Sequence, residues 1–504
     1  MLNLIPAIYL WSITHSPREL LPKPPRKKSM QLPDGYIAVV KRDCPTCLLV
    51  ESVLQSIEDS GHPLTVYTQD DPSFPAVKGR IDDTELEYSY RLAIETVPTL
   101  IHVANGSEEK RIIGWERDEW ANFTGIASIG AGLPPYRPGC GSKSVEPNIA
   151  EQLAIRHGGF KTNARKLDVP ELEDDIEYCF ERGWSDGLPV VPPTEQRVYR
   201  MLAGTTMSSD HELGLVPPNL VPLTIEKVAI NAVMAGCKPE YMPVIIAAVE
   251  AALDSAFCLH GLLATTWHSG PMVVVNGPIR EAIGMNWQGN VLGQGNRANS
   301  TIGRALQLIV RNVGGGRPQL VDQSTFGHPG KLGFCFAEDE STPWQTLGEQ
   351  RGIAAGRSSV TLYSADGVQG VVDQNSREPQ PLILSIAGTL RAVNHVDISN
   401  ASDAVIVVGP EHGRVFDNAG WTKAQATAAL HEALLVPAKD LGMGTDDSDG
   451  TKPLSSSNGL VPKFRPEGLQ LIRAGGDAGL FSAIIPGWLM KGSLGTDPVT
   501  KEIR

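Results

Sequence analysis

Cys44-Pro45-Thr46-Cys47 carries the most chemically loaded spacing in the chain. Two thiols three positions apart share one side of a helix when the first stands at its start. Such a pair performs thiol–disulfide exchange: the first cysteine attacks as a thiolate and the second resolves the mixed disulfide. The spacing predicts an exposed Cys44 at a helix N-terminus, where the dipole lowers the cost of the thiolate. Pro45 suits the first helical position, where no N–H is needed. Asp43 acts the other way, because a nearby carboxylate disfavours a second negative charge. Reading the pair as half a zinc site needs two further ligands, and the chain has no second C-x-x-C.

The elements that must position this pair follow from the apolar pattern. Tyr36–Lys41 reads as a strand, Leu48–Ser60 as an amphipathic helix and Leu64–Thr68 as a second strand. Asp83–Leu92 reads as a helix, Leu100–Val103 and Lys110–Ile113 as strands, and Arg117–Phe123 as a closing helix. Val97-Pro98-Thr99 precedes the third strand. With the cysteines at the first strand–helix junction, residues 30–126 resemble the thioredoxin and glutaredoxin superfamily. The resemblance implies that Pro98 heads a cis-proline loop facing the cysteines, with Pro98 and Thr99 contacting an incoming peptide or thiol. The chain lacks the Trp that often precedes the first cysteine in that superfamily and carries Pro-Thr inside the motif. These departures leave three roles open: reductase, oxidant or dedicated internal partner.

The rest of the composition narrows the partners. The 504 residues are 41% hydrophobic and 20% charged, which fits two to four globular domains. Net charge is −13 and no dense Lys/Arg stripe occurs in the body of the chain, so nucleic acid is not an expected partner. No apolar run approaches the ~20 residues that span a bilayer, so no membrane partner is expected. The seven cysteines are sparse and odd in number, which fits a reducing, cytoplasmic setting rather than a disulfide framework. Leu2–Trp11 is apolar but precedes its basic residues, the reverse of a secretory signal. Residues 1–29 therefore read as a disordered extension or targeting remnant, with Met30 a candidate functional start.

Residues 127–170 read as a connector, with a Pro-rich stretch at Leu133–Pro138, a turn at Gly139-Cys140-Gly141-Ser142 and a helix at Asn148–His157. Residues 171–504 alternate apolar helices, such as Thr224–Ala235 and Pro243–Ser255, with strands, such as Met272–Val275, Val405–Gly409 and Leu469–Ile472. That alternation predicts a large α/β domain. The segments GLPVVPPT (187–194), VAINAVMAGCKPEY (228–241), NGPIR (276–280), GQGNRANSTIGR (293–304) and FCFAEDE (334–340) are similar to a group of thioredoxin-family proteins with a large C-terminal domain of this type. This resemblance spans residues 30–504 and implies architecture rather than a reaction.

Candidate chemistry in the large domain comes from its thiols and glycine loops. Cys237 lies on a helix-end loop beside Lys238, and Cys335 leads into Glu338, Asp339 and Glu340; both are candidate catalytic thiols, with burial as an inert small hydrophobe the competing expectation. With Cys258 and His260 they also compose a soft-metal ligand set, without compact spacing to support it. His268 and His328 read as surface or satisfied histidines. Gly293, Gly295, Asn296 and Arg297 suit a carboxylate or phosphate, with Ser300 or Thr301 capping the next helix, or else they form a tight structural turn. Gly475–Gly479 is a second loop of this kind, and Glu411-His412 offers a base or a helix cap.

The expected protein is an α/β, two-domain thiol–disulfide oxidoreductase with no cofactor. Its dithiol module supplies or resolves thiol equivalents for a C-terminal domain acting on a small polar substrate. An external thiol reductant is a candidate electron source. A cysteine-dependent lyase or hydrolase with a regulatory dithiol, and a soft-metal or thiol-ligand binding protein, are the alternatives.

Overall fold

The computed structural model describes residues 31–169, 173–393, 398–399, 402–440, 443–445, 451–453, 459–488 and 495–504. The expected extension 1–29 lies outside them. The chain divides into two compact units, Met1–Thr162 and Asn163–Arg504, each mixing helices and sheets.

The first unit is built on β1 (Gly35–Val40), α1 (Pro45–Asp59), β2 (Leu64–Thr68), β3 (Arg80–Asp82), α2 (Glu87–Arg91), β4 (Thr96–Val97), β5 (Thr99–Ala104), β6 (Ser107–Ile113), β7 (Trp115–Glu116) and α3 (Arg117–Thr124). Its sheet runs β3-β2-β1-β5-β6. β1 and β2 are parallel, as are β2 and β3, while β5 runs antiparallel to both β1 and β6. The central β1 is buried on both faces, which is why it reads as an unbroken apolar run. α1 buries Val50, Val53, Leu54 and Ile57, the i, i+3, i+4, i+7 stripe of an amphipathic helix. β5 turns into β6 through Asn105 and Gly106, at φ 53° and 74°, the left-handed pair that a two-residue hairpin turn demands. β3 carries no apolar signal beyond Ile81: it is a three-residue exposed edge, recruited by pairing with β2.

Residues beyond α3 are part of the same unit. Two short strands, β8 (Tyr136–Arg137) and β9 (Cys140–Gly141), pair with β7 and β4, and a helix α4 (Pro147–His157) follows. Ile129 and Leu153 are buried. The stretch read as a connector is thus folded through most of its length, because its Pro-rich run pairs as short strands instead of spanning open solvent.

In the second unit a four-stranded sheet orders Phe334–Ala337, Gly270–Asn276, Ser359–Ala365 and Val499–Glu502, and another orders Gln369–Val372, Phe481–Pro486, Ser402–Val408 and Phe464–Arg473. Successive side chains on a strand face opposite ways, and here each face has its own partner. Val273 and Val275 pack with the helices Ile225–Ala235, Met242–Ala252 and Arg297–Asn312. Met272 and Val274 pack with Val405 and Val407 of the other sheet. Ala404, Ile406 and Val408 face the helices Pro379–Ala392, Pro410–Asn418 and Lys423–Ala433. The result is four layers: helices, sheet, sheet, helices. Among the described residues no single helix is long and apolar enough to cross a membrane.

Candidate functional site

Cys44 is the N-cap of α1, with φ −144° and ψ 113°, and Pro45 opens the helix behind it. Its Sγ accepts the Cys47 N–H at 3.4 Å, the bond by which an N-cap side chain satisfies an orphan helix donor. Extended β1 enters and α1 leaves, so both cysteines sit at the C-terminal end of the central strand. The Val97–Pro98 peptide is cis, and the Val97 carbonyl oxygen lies 3.7 Å from Cys44 Sγ.

Contrary to the expectation of an exposed first cysteine, Cys44 is only 1% exposed and Cys47 is fully buried. The cover is the strand that carries Cys140. Cys140 Sγ lies 2.8 Å from Cys44 Sγ. β9 pairs antiparallel with β4, matching Val97 with Cys140 and Thr96 with Gly141. Thr46, inside the motif, donates its hydroxyl to the Pro138 carbonyl at 2.6 Å. The backbone edge just ahead of Pro98 is thereby taken by the chain's own residues.

Two glycines permit this approach. A Cβ at Gly139 would stand 2.4 Å from Thr96 Cγ2 and 2.9 Å from the Val97 oxygen, and one at Gly114 would stand 3.0 Å from the Gly139 nitrogen. The segment is anchored on both sides. Upstream, Trp115 Nε1 donates to the Pro134 carbonyl at 2.7 Å and the Arg117 N–H to that of Pro135 at 2.9 Å. Downstream, buried Gln69 donates to the hydroxyls of Ser89 at 2.8 Å and Ser142 at 2.7 Å, and accepts the Lys143 N–H at 3.1 Å. Ser144 closes the network by donating to the Ile94 carbonyl at 2.8 Å. A buried polar network satisfied this fully holds its members in one arrangement.

The three thiols differ sharply in acidity. Cys44 is lowered to about 5, first by a hydrogen bond from the Cys47 thiol, then by one from Cys140 and by the N–H groups of Cys47 and Thr46, against the opposing effect of burial. Burial, and then the hydrogen bond to Cys44, hold Cys47 far above the ordinary thiol range. Cys140 is raised for the same reasons, burial first. The arrangement sets one thiol whose ionisation is favoured between two whose ionisation is disfavoured.

No protein-family model, curated protein or solved structure matches the chain.

The other expected site residues belong to the second unit. Cys237 is buried, its thiol donates to the Thr301 carbonyl at 3.3 Å, and burial pushes it up to about 12. Cys335 is buried in the same core and raised by burial. Both are neutral at pH 7. Asn296, rather than Ser300 or Thr301, caps the helix Arg297–Asn312, accepting the Asn299 N–H at 3.0 Å. Asn296 also donates to the Gly284 carbonyl at 2.8 Å, and Arg297 Nε to that of Gly236 at 2.9 Å. Gly295 takes φ 117°, and Gly293 lies against the Asn290 side chain. These contacts shape the glycine loop itself. Glu411 accepts the Gly479 N–H at 2.9 Å, which ties the two remaining candidate loops together. His412 is buried, 2.8 Å from Ser482 Oγ and 3.0 Å from the Asp373 carbonyl. Among the described residues no group of three or more His, Cys, Asp or Glu side chains is placed to hold a metal.

Sequence reasoning passed over one cleft, of about 250 Å³, lined by Asn276, Gly277, Arg280, Glu340, Glu349 and Arg357 among others. Glu340 accepts the Gly277 N–H at 2.7 Å and faces Arg280 Nη2 at 2.9 Å, while Arg280 lies over the Trp287 ring at 4.9 Å. Beneath it Glu338 is buried, accepting from Asn276 Nδ2 at 2.6 Å and the Leu347 N–H at 2.7 Å. Burial raises Glu338, opposed first by Lys423, whose Nζ is 3.7 Å away. NGPIR and FCFAEDE supply this floor; their spacing in the sequence carried no hint that they meet.

Proposed function

We propose that the first unit is a thioredoxin-like thiol–disulfide oxidoreductase module whose nucleophile is Cys44 and whose resolving thiol is Cys47. The observation that carries the reading is Cys44 at the N-cap of α1, receiving hydrogen bonds from its neighbours and lowered to about 5. At neutral pH it stands as a thiolate, the form that attacks a disulfide. The sheet order, the strand–helix position of the motif and the proximity of Val97 to Cys44 support the same reading. The large unit's part is to bind a small polar substrate, for which the cleft beside Arg280 and Glu340 is the favoured place.

The electrons balance simply. Cys44 thiolate attacks a small disulfide and displaces one thiolate; Cys47 loses its proton, attacks Cys44 Sγ and displaces the second. The protein dithiol is oxidised and the disulfide is reduced to two thiols. The test is to mix fully reduced protein with bis(2-hydroxyethyl) disulfide and count the mercaptoethanol released. Two equivalents per chain are expected at the fast phase, and Cys44→Ser should abolish that phase. An unchanged fast phase in Cys44→Ser would refute the assignment.

A further inference from the structure

We infer that Cys140 is a third redox cysteine of this site, a tethered resolving thiol that forms a disulfide with Cys44, and that its strand holds the edge an extended peptide substrate would need. The inference rests on the exchange reading of Cys44 and adds to it both a reacting group and a substrate class: small disulfides.

The geometry places Cys140 beside the nucleophile, within a small side-chain adjustment of a bond to it. Its Sγ is 2.8 Å from Cys44 Sγ, while a disulfide bond needs ~2.05 Å. Cys140 is half-buried, whereas Cys47 is 0% exposed behind the helix start. Of the three thiols, Cys140 is therefore the one that reaches solvent. Part of what keeps Cys140 protonated is the Cys44 thiolate, by hydrogen bond and by charge. That charge vanishes once Cys44 is bonded to an incoming sulfur, so Cys140 becomes a better nucleophile at the moment it is needed. The pairing of β9 with β4, the Thr46–Pro138 bond and the Gln69–Ser142 network hold it there. The same pairing spends the Thr96–Val97 backbone on the chain's own strand, so a strand-forming peptide finds no free edge there, and a small disulfide is the substrate that needs none.

In the reaction, Cys44 thiolate attacks a glutathione-type disulfide and releases one glutathione thiolate, leaving the mixed disulfide. Cys140 gives its proton to solvent, attacks Cys44 Sγ and releases the second glutathione. The product is a Cys44–Cys140 disulfide. Attack by Cys47 on Cys44 Sγ then yields Cys44–Cys47 and returns Cys140 to its thiol, with no further oxidant consumed.

Removing Cys47 isolates the step. Reduced Cys47→Ser protein is oxidised with glutathione disulfide, acid-quenched, alkylated and mapped by mass spectrometry. A Cys44–Cys140 linked peptide and two equivalents of released glutathione are expected, and Cys47→Ala should behave alike. The Cys47→Ser, Cys140→Ser double variant should stop at glutathionylated Cys44 with one equivalent released. If Cys47→Ser and Cys47→Ala also stop at glutathionylated Cys44, Cys140 is not a resolving thiol and this inference is overturned while the exchange reading stands. If the double variant takes no glutathione on Cys44, the exchange reading itself fails and this inference with it.

Discussion

A thiol is an unremarkable acid until its neighbours donate to it, and Cys44 has the thiols of Cys47 and Cys140 and the N–H groups of Cys47 and Thr46 beside it. In the reduced protein the thiolate absorbance near 240 nm should rise through about pH 5, and Cys44→Ser should lack that step. Because the Cys47 thiol is the largest lowering influence, Cys47→Ala should move the step upward. The same titration acts on stability. The folded state lowers Cys44 from the ordinary 9.0, so its contribution is complete above pH 9 and is lost as pH falls through about 5. Denaturant midpoints of the reduced protein should therefore gain less between pH 5 and 8 in Cys44→Ser than in the wild type. Cys237 stands at the opposite extreme, buried and pushed up to about 12, and Cys237→Ala should leave the oxidation rate of Cys44 unchanged. That Cys44 and Cys47 share a helix start was legible in the sequence because the spacing and Pro45 are local signals. Cys140 was not: it meets Cys44 across 96 positions, and its own turn reads as an ordinary Pro-Gly loop.

At the scale of elements, the site depends on short strands that sequence patterns do not signal. β1, α1, β2 and the β5–β6 hairpin follow from apolar runs, a helical stripe and an Asn-Gly turn, and these were readable. β4 and β9 have two residues each and no periodicity to detect; they exist because Gly114 and Gly139 let two backbones meet. Gly139→Ala puts a Cβ 2.4 Å from Thr96 Cγ2 and 2.9 Å from the Val97 oxygen. Overpacking of this kind costs about 1–3 kcal/mol. Charged to the docked strand, that raises the uncovered population of Cys44 by roughly fivefold to a hundredfold, at ~1.4 kcal/mol per decade. Alkylation of Cys44 by iodoacetamide at pH 7 should accelerate by that factor, with the far-ultraviolet circular dichroism unchanged; an unaltered rate would mean that β9 does not cover the thiol.

Over the whole molecule, the chain folds as two units with separate cores. That the second mixes helices and strands was legible from its alternation. That its strands form two stacked sheets was not, because Met272–Val275 and Val405–Val408 are apolar on both faces and an unbroken apolar run does not say what covers each side. The unit is also tied by partly hidden ion pairs. Arg304 meets Asp186 through two bonds of 2.7 and 2.8 Å and caps the Leu188 and Pro189 carbonyls as well. Asp186→Ala leaves that guanidinium without its counter-charge and should destabilise the second unit by about 3 kcal/mol. The Cys44 step at about pH 5 should persist in this variant, since the thiol's donors all lie within the first unit. Denaturant unfolding and the 240 nm titration of one sample check both halves of that expectation.

We propose that Cys44 is the thiol through which this chain exchanges disulfides. Equilibrating the wild-type protein in a glutathione redox buffer, quenching in acid, alkylating and mapping all seven cysteines tests it most directly. Cys44 is expected in disulfide linkage, to Cys47 or Cys140, at potentials where Cys237 and Cys335 are still reduced. Cys44 recovered as a free thiol while another pair is oxidised would contradict it.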